Sequence, residues 1–442
     1  MTSHFRGRFA PHRLFPGMIG LLVFVAVFSV GAQAYTHKIL YSFCAKTNCT
    51  DGSSPYGGLT MDSTGALFGT TAQGGAHSWG TVFKLTPNAK RTSWKLETLY
   101  SFCAKKSCVD GQFPNGALVL DTQGNLYGTT YQGGAANSGL VFKLTPLSGQ
   151  SRWRLTRLHD FVSGGADGYF PAAALTYSGA QSGALYDGIS PLYGTTTMGG
   201  GVGNGTVFSV TPIAGKTRWK EDILHAFPDG DGALLVGGVI FGGDSNLYGA
   251  AYSGGSAGFG TVFELSPNAG KTRWTTTVLH NFCEIHCTDG EDPFATVTMD
   301  ASGSLFGTTT MGGANTEGVI YKLVPKGANS QLTVLYNFCS QANCADGRKP
   351  GDGTKGPLAI DASGNLFGTT RYGGDNGVSG DGIAYKLNGT TQTVLYTFCA
   401  EVNCTDGSSP SSGLISDGSN NLIGTTDSGG AYAGGTIYEL TP

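Results

Sequence analysis

A Leu-aromatic-Gly-Thr-Thr core recurs seven times in the 442 residues, starting at Leu67, Leu126, Leu192, Leu247, Leu305, Leu366 and Leu422. Only Ala250-Ala251, for Thr-Thr, and Ile423, for the aromatic, depart from it. The intervals of 59, 66, 55, 58, 61 and 56 residues are each about the length of one propeller blade. Around each core the residues read as four strands. In the first unit residues 58–62 alternate as a short strand, Ser63-Thr64-Gly65 turns the chain, and residues 66–71 form a second strand. Residues 80–86 form a third strand stopped by Pro87, and residues 94–102 a fourth. No stretch sustains a 3.6-residue apolar period, so helices should be almost absent.

The fourth strand is out of phase with the rest. A copy, Leu40-Tyr41-Ser42-Phe43, precedes the first unit, and none follows the seventh. A solenoid would end in polar caps, whereas this orphan can complete the last unit and close a ring. The reading is an all-β, seven-bladed β-propeller over residues 35–442, with four strands per blade and residues 36–43 paired to residues 435–441.

The first 34 residues read as a secretory signal peptide: Arg6, Arg8 and Arg13, an apolar run from Met18 to Val30, and Ala32-Gln33-Ala34 as a small-x-small cleavage site. An uncleaved membrane anchor is the alternative. Cleavage removes three arginines and no acid, taking the formal net charge from −3 to −6. No later segment approaches transmembrane length, so a soluble monomer outside the cytoplasm, secreted or periplasmic, is expected. Lys and Arg are scattered, which leaves no basic footprint for nucleic acid. Glycine, 72 of 442 residues, has no three-residue period and so implies tight turns and crowded strands.

The ten cysteines fall in five pairs at one repeat position: Cys44/Cys49, Cys103/Cys108, Cys283/Cys287, Cys339/Cys344 and Cys399/Cys404. The two units without them lack both members, as a mutual disulfide predicts. Metal ligation fits poorly, because these gaps come without matching histidines.

The stretch Pro-x-x-Gly-Leu-x-x-Asp-x-x-Gly-x-Leu-aromatic-Gly-Thr-Thr, as at Pro55 to Thr71, resembles NHL and two-component-regulator propeller repeats. The whole unit, from Leu-Tyr-x-Phe-Cys to Val-Phe-Lys-Leu-Thr-Pro, is more similar to the GloVer-type tandem repeat of exported bacterial proteins. That resemblance implies an extracytoplasmic repeat protein of unassigned activity, often followed by a C-terminal surface anchor. Here the sequence stops at Pro442, on the last strand, without one.

Candidate chemistry is sparse. Asp-Gly follows the cysteine position in every unit (Asp51, Asp110, Asp167, Asp231, Asp289, Asp346, Asp406), and Asp-Gly is turn chemistry before it is a cation site. Asp229-Gly230-Asp231-Gly232 resembles the start of a calcium loop but lacks the downstream Glu, so calcium is a weak alternative to no cofactor at all. His159, His225 and His280 resemble a triad by type, yet each falls on the outer strand of a different blade. No nucleophile elbow, phosphate loop or paired-carboxylate signature stands out, so no catalytic or metal residue is assigned.

Function is sought where the symmetry breaks. The sixth unit lengthens its Asp-Gly loop, carrying Arg348, Lys349, Asp352 and Lys355. It also lengthens its Gly-Gly loop, carrying Arg371, Tyr372, Asp375 and Asp381. Both insertions fall on one face and form the candidate binding site; the other unusual insertion, Ser178 to Ser190 on the opposite face, reads as a surface excursion. The expected role is binding or scaffolding toward a surface glycan or protein partner, the alternative being a lyase or glycan hydrolase acting at the centre of the top face.

Overall fold

The computed structural model describes residues 1–2, 35–148, 152–352, 356–375 and 380–442; the expected signal peptide lies almost wholly outside them, as does Lys355. Eight antiparallel sheets, two of them in blade 3 (Gly168–Tyr169 with Met198–Gly199, and Leu192–Thr196 with Thr206–Thr211 and Lys220–Ala226), form a seven-bladed propeller. Helix among the described residues is confined to three-residue 3-10 turns such as Thr47–Cys49, and none is long and apolar enough to cross a membrane. The ring closes as the orphan strand implies: Thr36–Ser42 pairs antiparallel with Thr436–Thr441, placing Ile39 opposite Tyr438.

Each residue of the repeated core has a distinct physical task. Leu67 is fully buried inside its blade, and Lys84 from the paired third strand lies 5.2 Å over the ring of Phe68. Gly69 is required because the tip of the Phe83 ring packs on it: a Cβ there would stand 2.6 Å from Phe83 Cζ. The first Thr hydroxyl reaches the next blade, Thr70 to Gly116 O at 3.3 Å, Thr195 to Gly237 O at 2.9 Å and, across the closure, Thr425 to Pro55 O at 2.8 Å. The second Thr stays within its own blade, Thr71 meeting Thr81 at 2.8 Å.

Blades are stitched together by the fourth-strand phenylalanines. Phe43, Phe102, Phe161, Phe227, Phe282, Phe338 and Phe398 are all fully buried. Each meets the third-strand aromatic of the following blade edge-on, from Phe227–Phe263 at 4.8 Å to Phe102–Phe142 at 5.3 Å. Such pairs contribute about 0.5–1.5 kcal/mol each beyond the area they bury.

The blades differ from the four-strand expectation at their edges. Inner strands are only two residues long, as at Thr60–Met61, because the backbone beside them at the crowded axis is taken up by interblade hydrogen bonds. The third strand runs one residue further than expected, to Pro87, which faces Trp94 at the strand end where a missing N–H costs little. Blades 6 and 7 gain a fifth strand, Arg348–Pro350 and Ser408–Pro410. In blade 3 the inner strand shrinks to a single bridge, Thr176 to Tyr193. The Ser178–Ser190 excursion is docked rather than free. Tyr186 within it is fully buried against Tyr127 of blade 2, and its N–H donates to Leu120 O at 3.2 Å.

All ten cysteines are paired within their own loops, as the spacing implies. The Asp-Gly carboxylate does more than make a turn. Asp110 is fully buried and accepts the Tyr100 hydroxyl at 2.6 Å and the N–H groups of Ala104 and Lys105 at 2.9 and 3.1 Å, holding the cysteine loop onto the outer strand. Tyr41–Asp51, Tyr336–Asp346 and Tyr396–Asp406 repeat the bond at 2.7 Å. Burial first, and then the bonded carboxylate, push the Tyr41, Tyr100 and Tyr396 hydroxyls above their usual range.

Candidate functional site

The Gly-Gly loop lies on the cysteine loop of the same unit, Gly75 N–H donating to Cys49 O at 2.9 Å and Gly374 N–H to Cys344 O at 2.9 Å, so both loop sets occupy one face, the top. There the residue before the repeat proline, or before Leu235 where the fourth unit lacks the proline, adopts a left-handed backbone in every unit: Ser54, Phe113, Phe170, Leu234, Asp292, Lys349 and Ser409, with φ between 52° and 61°. A non-glycine residue pays roughly 1–2 kcal/mol for that conformation. A backbone bond to the preceding blade offsets the cost each time, as in Phe113 N–H to Trp79 O at 3.1 Å and Lys349 N–H to Glu317 O at 2.9 Å. All seven side chains are partly exposed. The frame is thus sevenfold while the chemistry it displays is not.

Inside this ring, the residues after the repeat proline and after Gly-Thr-Thr surround the mouth of the axial channel. An open cavity of about 450 Å³ there is lined by Tyr56, Gln73, Phe113, Asn115, Tyr131, Gln132, Phe294, Asp352 and Arg371. Its polar side is built by blades 1, 6 and 7. Arg371 is ion-paired with Asp427 at 3.0 Å, and Tyr56 hydrogen-bonds both members. Its apolar sides carry two aromatic pairs, Tyr131 stacked on Phe170 at 4.9 Å and Tyr252 edge-on to Phe294 at 5.7 Å. Burial and then the Glu291 charge push the Asp292 carboxyl up, against a hydrogen bond from Tyr252 that works the other way. Below the mouth the channel narrows to an apolar throat of about 260 Å³ walled by short segments such as Gly58-Leu59 and Gly238-Val239.

Of the blade 6 candidates, the structure brings Asp352 and Arg371 together at this mouth. Tyr372 lies beneath two guanidiniums, Arg348 at 5.5 Å and Arg371 at 5.8 Å from its ring centre. Arg348 is ion-paired with Glu317 at 3.1 Å, at the edge of blade 5. Asp381 accepts the Ser408 hydroxyl at 2.6 Å and so ties blade 6 to blade 7. Asp375 is exposed, and residues 376–379 beyond it are outside the described set. Sequence reasoning passed over Tyr56, Asn115, Phe294 and Asp427. They sit at two fixed offsets from recurring landmarks, the repeat proline and Gly-Thr-Thr, and scanning those offsets for variation would have found them.

The calcium-like run does not converge on one point: Asp229 accepts from Asn204 at 2.8 Å, and Asp231 meets His225 at 3.0 Å. Trp94, Trp153, Trp219 and Trp274 recur at one repeat position, and Trp219 packs against Tyr127 and Trp274 against Tyr193. On the bottom face the docked excursion forms one wall of a cleft of about 840 Å³ that includes Asp244 and Asp300.

Among solved structures, a puromycin hydrolase aligns at a TM-score of 0.51 and 11% identity, covering 87% of this chain and 52% of its own. A sialidase from Trypanosoma rangeli aligns at 0.42 and 9% identity, covering 92% and 59%. A protein of unknown function from Dyadobacter fermentans aligns at 0.43 and 12% identity, covering 92% and 98%. This chain therefore spans about half the length of the hydrolase, and at such identity the likeness is one of fold. No curated protein sequence matches the chain. Residues 25–190 match the family model described as the Gloeobacter/Verrucomicrobia repeat, and the unit matched there recurs through the later blades.

Proposed function

We propose that the protein is a binding propeller acting outside the cytoplasm, taking a polar, carbohydrate-type ligand at the top-face mouth of its axial channel. The observation that carries this reading is the composition of that mouth: aromatic faces, carboxamides and an arginine around one cavity of about 450 Å³. Ring faces such as Tyr131 and Phe294 suit the C–H faces of sugars, Asn115, Gln73 and Gln132 suit hydroxyls, and Arg371 suits a carboxylate on an acidic glycan. The five disulfides support an oxidising compartment. A glycan array probed with the full chain, wild type against Arg371→Ala, tests it: signal on acidic glycans should be lost in the variant. No glycan signal with folded wild type, or equal signal in both, would overturn the reading.

A second reading, cleavage of the bound glycan, is favoured by Asp292. A carboxyl raised by burial beside a second carboxylate, Glu291, has the character of a general acid. Incubating the array hit with protein and measuring new reducing ends or unsaturated products separates the two, and Asp292→Asn should abolish turnover while leaving binding in place.

A further inference from the structure

At the seam between blades 2 and 3, on the outer strands and away from the mouth, one unit breaks the Tyr/His–Asp pattern. In the other six units the outer-strand Tyr or His stands 2.6–3.0 Å from its Asp-Gly carboxylate. In blade 2 the pair has opened: His159 Nε2 is 3.6 Å from Asp167 Oδ2. A third group has entered, Glu221 from the outer strand of blade 3, whose Oε2 is 3.5 Å from the same nitrogen. Glu221 sits opposite Val210, the register position filled by Leu96, Leu155, Thr276, Leu332, Gln392 and His37 in the other blades. It is the carboxylate among seven residues that are otherwise apolar or formally neutral.

We propose that His159, Asp167 and Glu221 bind a divalent first-row transition cation such as Zn²⁺, which staples the crossover loop of blade 2 to blade 3.

Four observations carry this. The donor atoms of the three residues lie within 4.8 Å of one another. The two distances from Nε2 are too long for hydrogen bonds and close to the edge of a tetrahedron, about 3.4 Å for bonds of about 2.1 Å. His159 Nε2, Asp167 Oδ1 and Glu221 Oε1 are each shut off from solvent with no hydrogen-bond partner among the described residues, an arrangement that is costly unless something fills it. Finally, among the described residues no lysine or arginine is ion-paired with either carboxylate: the nearby Arg157 and Arg218 both serve Asp160, and Lys220 serves Asp222. One neutral imidazole and two carboxylates balance a double positive charge, and this mixed N/O set suits zinc or manganese better than calcium. Asp167 Oδ2 also accepts the Val162 N–H at 2.9 Å, which fixes the ligand's orientation from the loop itself. That loop, Phe161 to Asp167, is one of the two that lack the cysteine pair, so a cation would supply there the cross-link that a disulfide supplies elsewhere.

The other clusters of ligand type among the described residues carry nothing comparable. Cys283/Cys287/Glu291 and Asp381/Cys399/Cys404 each offer a cystine whose thiols are already joined to one another.

The test is equilibrium dialysis of the EDTA-treated full chain against Zn²⁺, with metal content and Tm both read. One equivalent bound and a Tm raised by a few degrees are expected. Glu221→Leu, the residue of blades 1, 2 and 5, should weaken zinc binding more than about 100-fold, since even outer-shell losses cost about 10–100-fold. Its metal-free Tm should equal or exceed that of metal-free wild type. Should this variant fail to fold, His159→Gln with Co²⁺ replaces it, and the visible absorption of cobalt in wild type should vanish. Substoichiometric zinc on wild type, or a full equivalent retained by Glu221→Leu or cobalt absorption retained by His159→Gln, would overturn the assignment.

Discussion

Arg371 and Asp427 occupy the same repeat position in adjacent blades and meet at 3.0 Å across the seam. Their equivalents elsewhere include Ala72, Tyr131, Thr197 and Tyr252, so one position of the repeat has been turned into an ion pair, an aromatic platform or a bare wall as the blade requires.

For ligand binding, Tyr131→Ala and Arg371→Ala should each weaken the affinity of any array hit by at least tenfold, roughly 1.4 kcal/mol, with Tm nearly unchanged for Tyr131→Ala. The insertions supply an internal control. Shortening residues 375–381 to repeat length should reduce affinity, whereas trimming residues 179–188 should lower Tm through the loss of Tyr186 packing and leave affinity in place. The reverse outcome, measured by calorimetry on both variants, would move the site to the bottom-face cleft.

The Asp-Gly carboxylate predicts a graded series. Tyr100→Phe removes one of three donors to Asp110 and should cost about 1–2 kcal/mol in urea unfolding. Asp110→Ala leaves three donors without an acceptor and should cost more, about 3 kcal/mol. Equal effects would mean that the backbone bonds to Asp110 contribute nothing.

Five local disulfides should appear in non-reducing peptide mapping, Cys103 with Cys108 and so on. The double replacement Cys103→Ala/Cys108→Ala should cost on the order of 2 kcal/mol, because the loop closed is short. A free thiol, or a link between different loops, would contradict the structure.

His37 predicts the acid limb of stability. It lies in the closing strand, stacked on Tyr396 at 4.1 Å, and burial pulls its pKa down to about 4 against the opposing pull of Asp406 and Glu401. Since the folded value lies below the ordinary 6.5, this group's stability is intact above pH 6.5 and is lost as pH falls toward 4. The loss should reach up to roughly 3 kcal/mol. His37→Leu should flatten the dependence between those limits in denaturation titrations, and an unchanged slope would rule His37 out as its source.

The fold was legible because its determinants are local and repeated. Gly69 and Thr70 act on neighbours at fixed offsets, so seven copies announce the architecture, and a missing outer strand announces the closure. The disulfides were legible for the same reason. What could not be read was convergence: Tyr56 and Arg371 are over 300 residues apart, and only ring closure brings blade 1 beside blades 6 and 7. Charge drew attention to Arg348, whose guanidinium is held by Glu317, while Phe294 drew none because an aromatic in a repeat reads as packing. Glu221 was hidden as one substitution in a variable register position; its meaning depends on a partner strand in the previous blade.

The seven left-handed residues, six of them ahead of a repeat proline and Leu234 ahead of Leu235, have an evolutionary consequence. Each is held by a bond between main-chain atoms, Ser54 N–H to Gly434 O or Leu234 N–H to Asn204 O, so the anchor is indifferent to which side chain it carries. Serine, phenylalanine, leucine, aspartate and lysine all occupy it without altering the frame. After a blade duplicates, its copy can diverge at this position by a single codon change, with no compensating change elsewhere. The rim is in effect a set of interchangeable fittings on a fixed mount, from which lineages can draw new specificities one blade at a time.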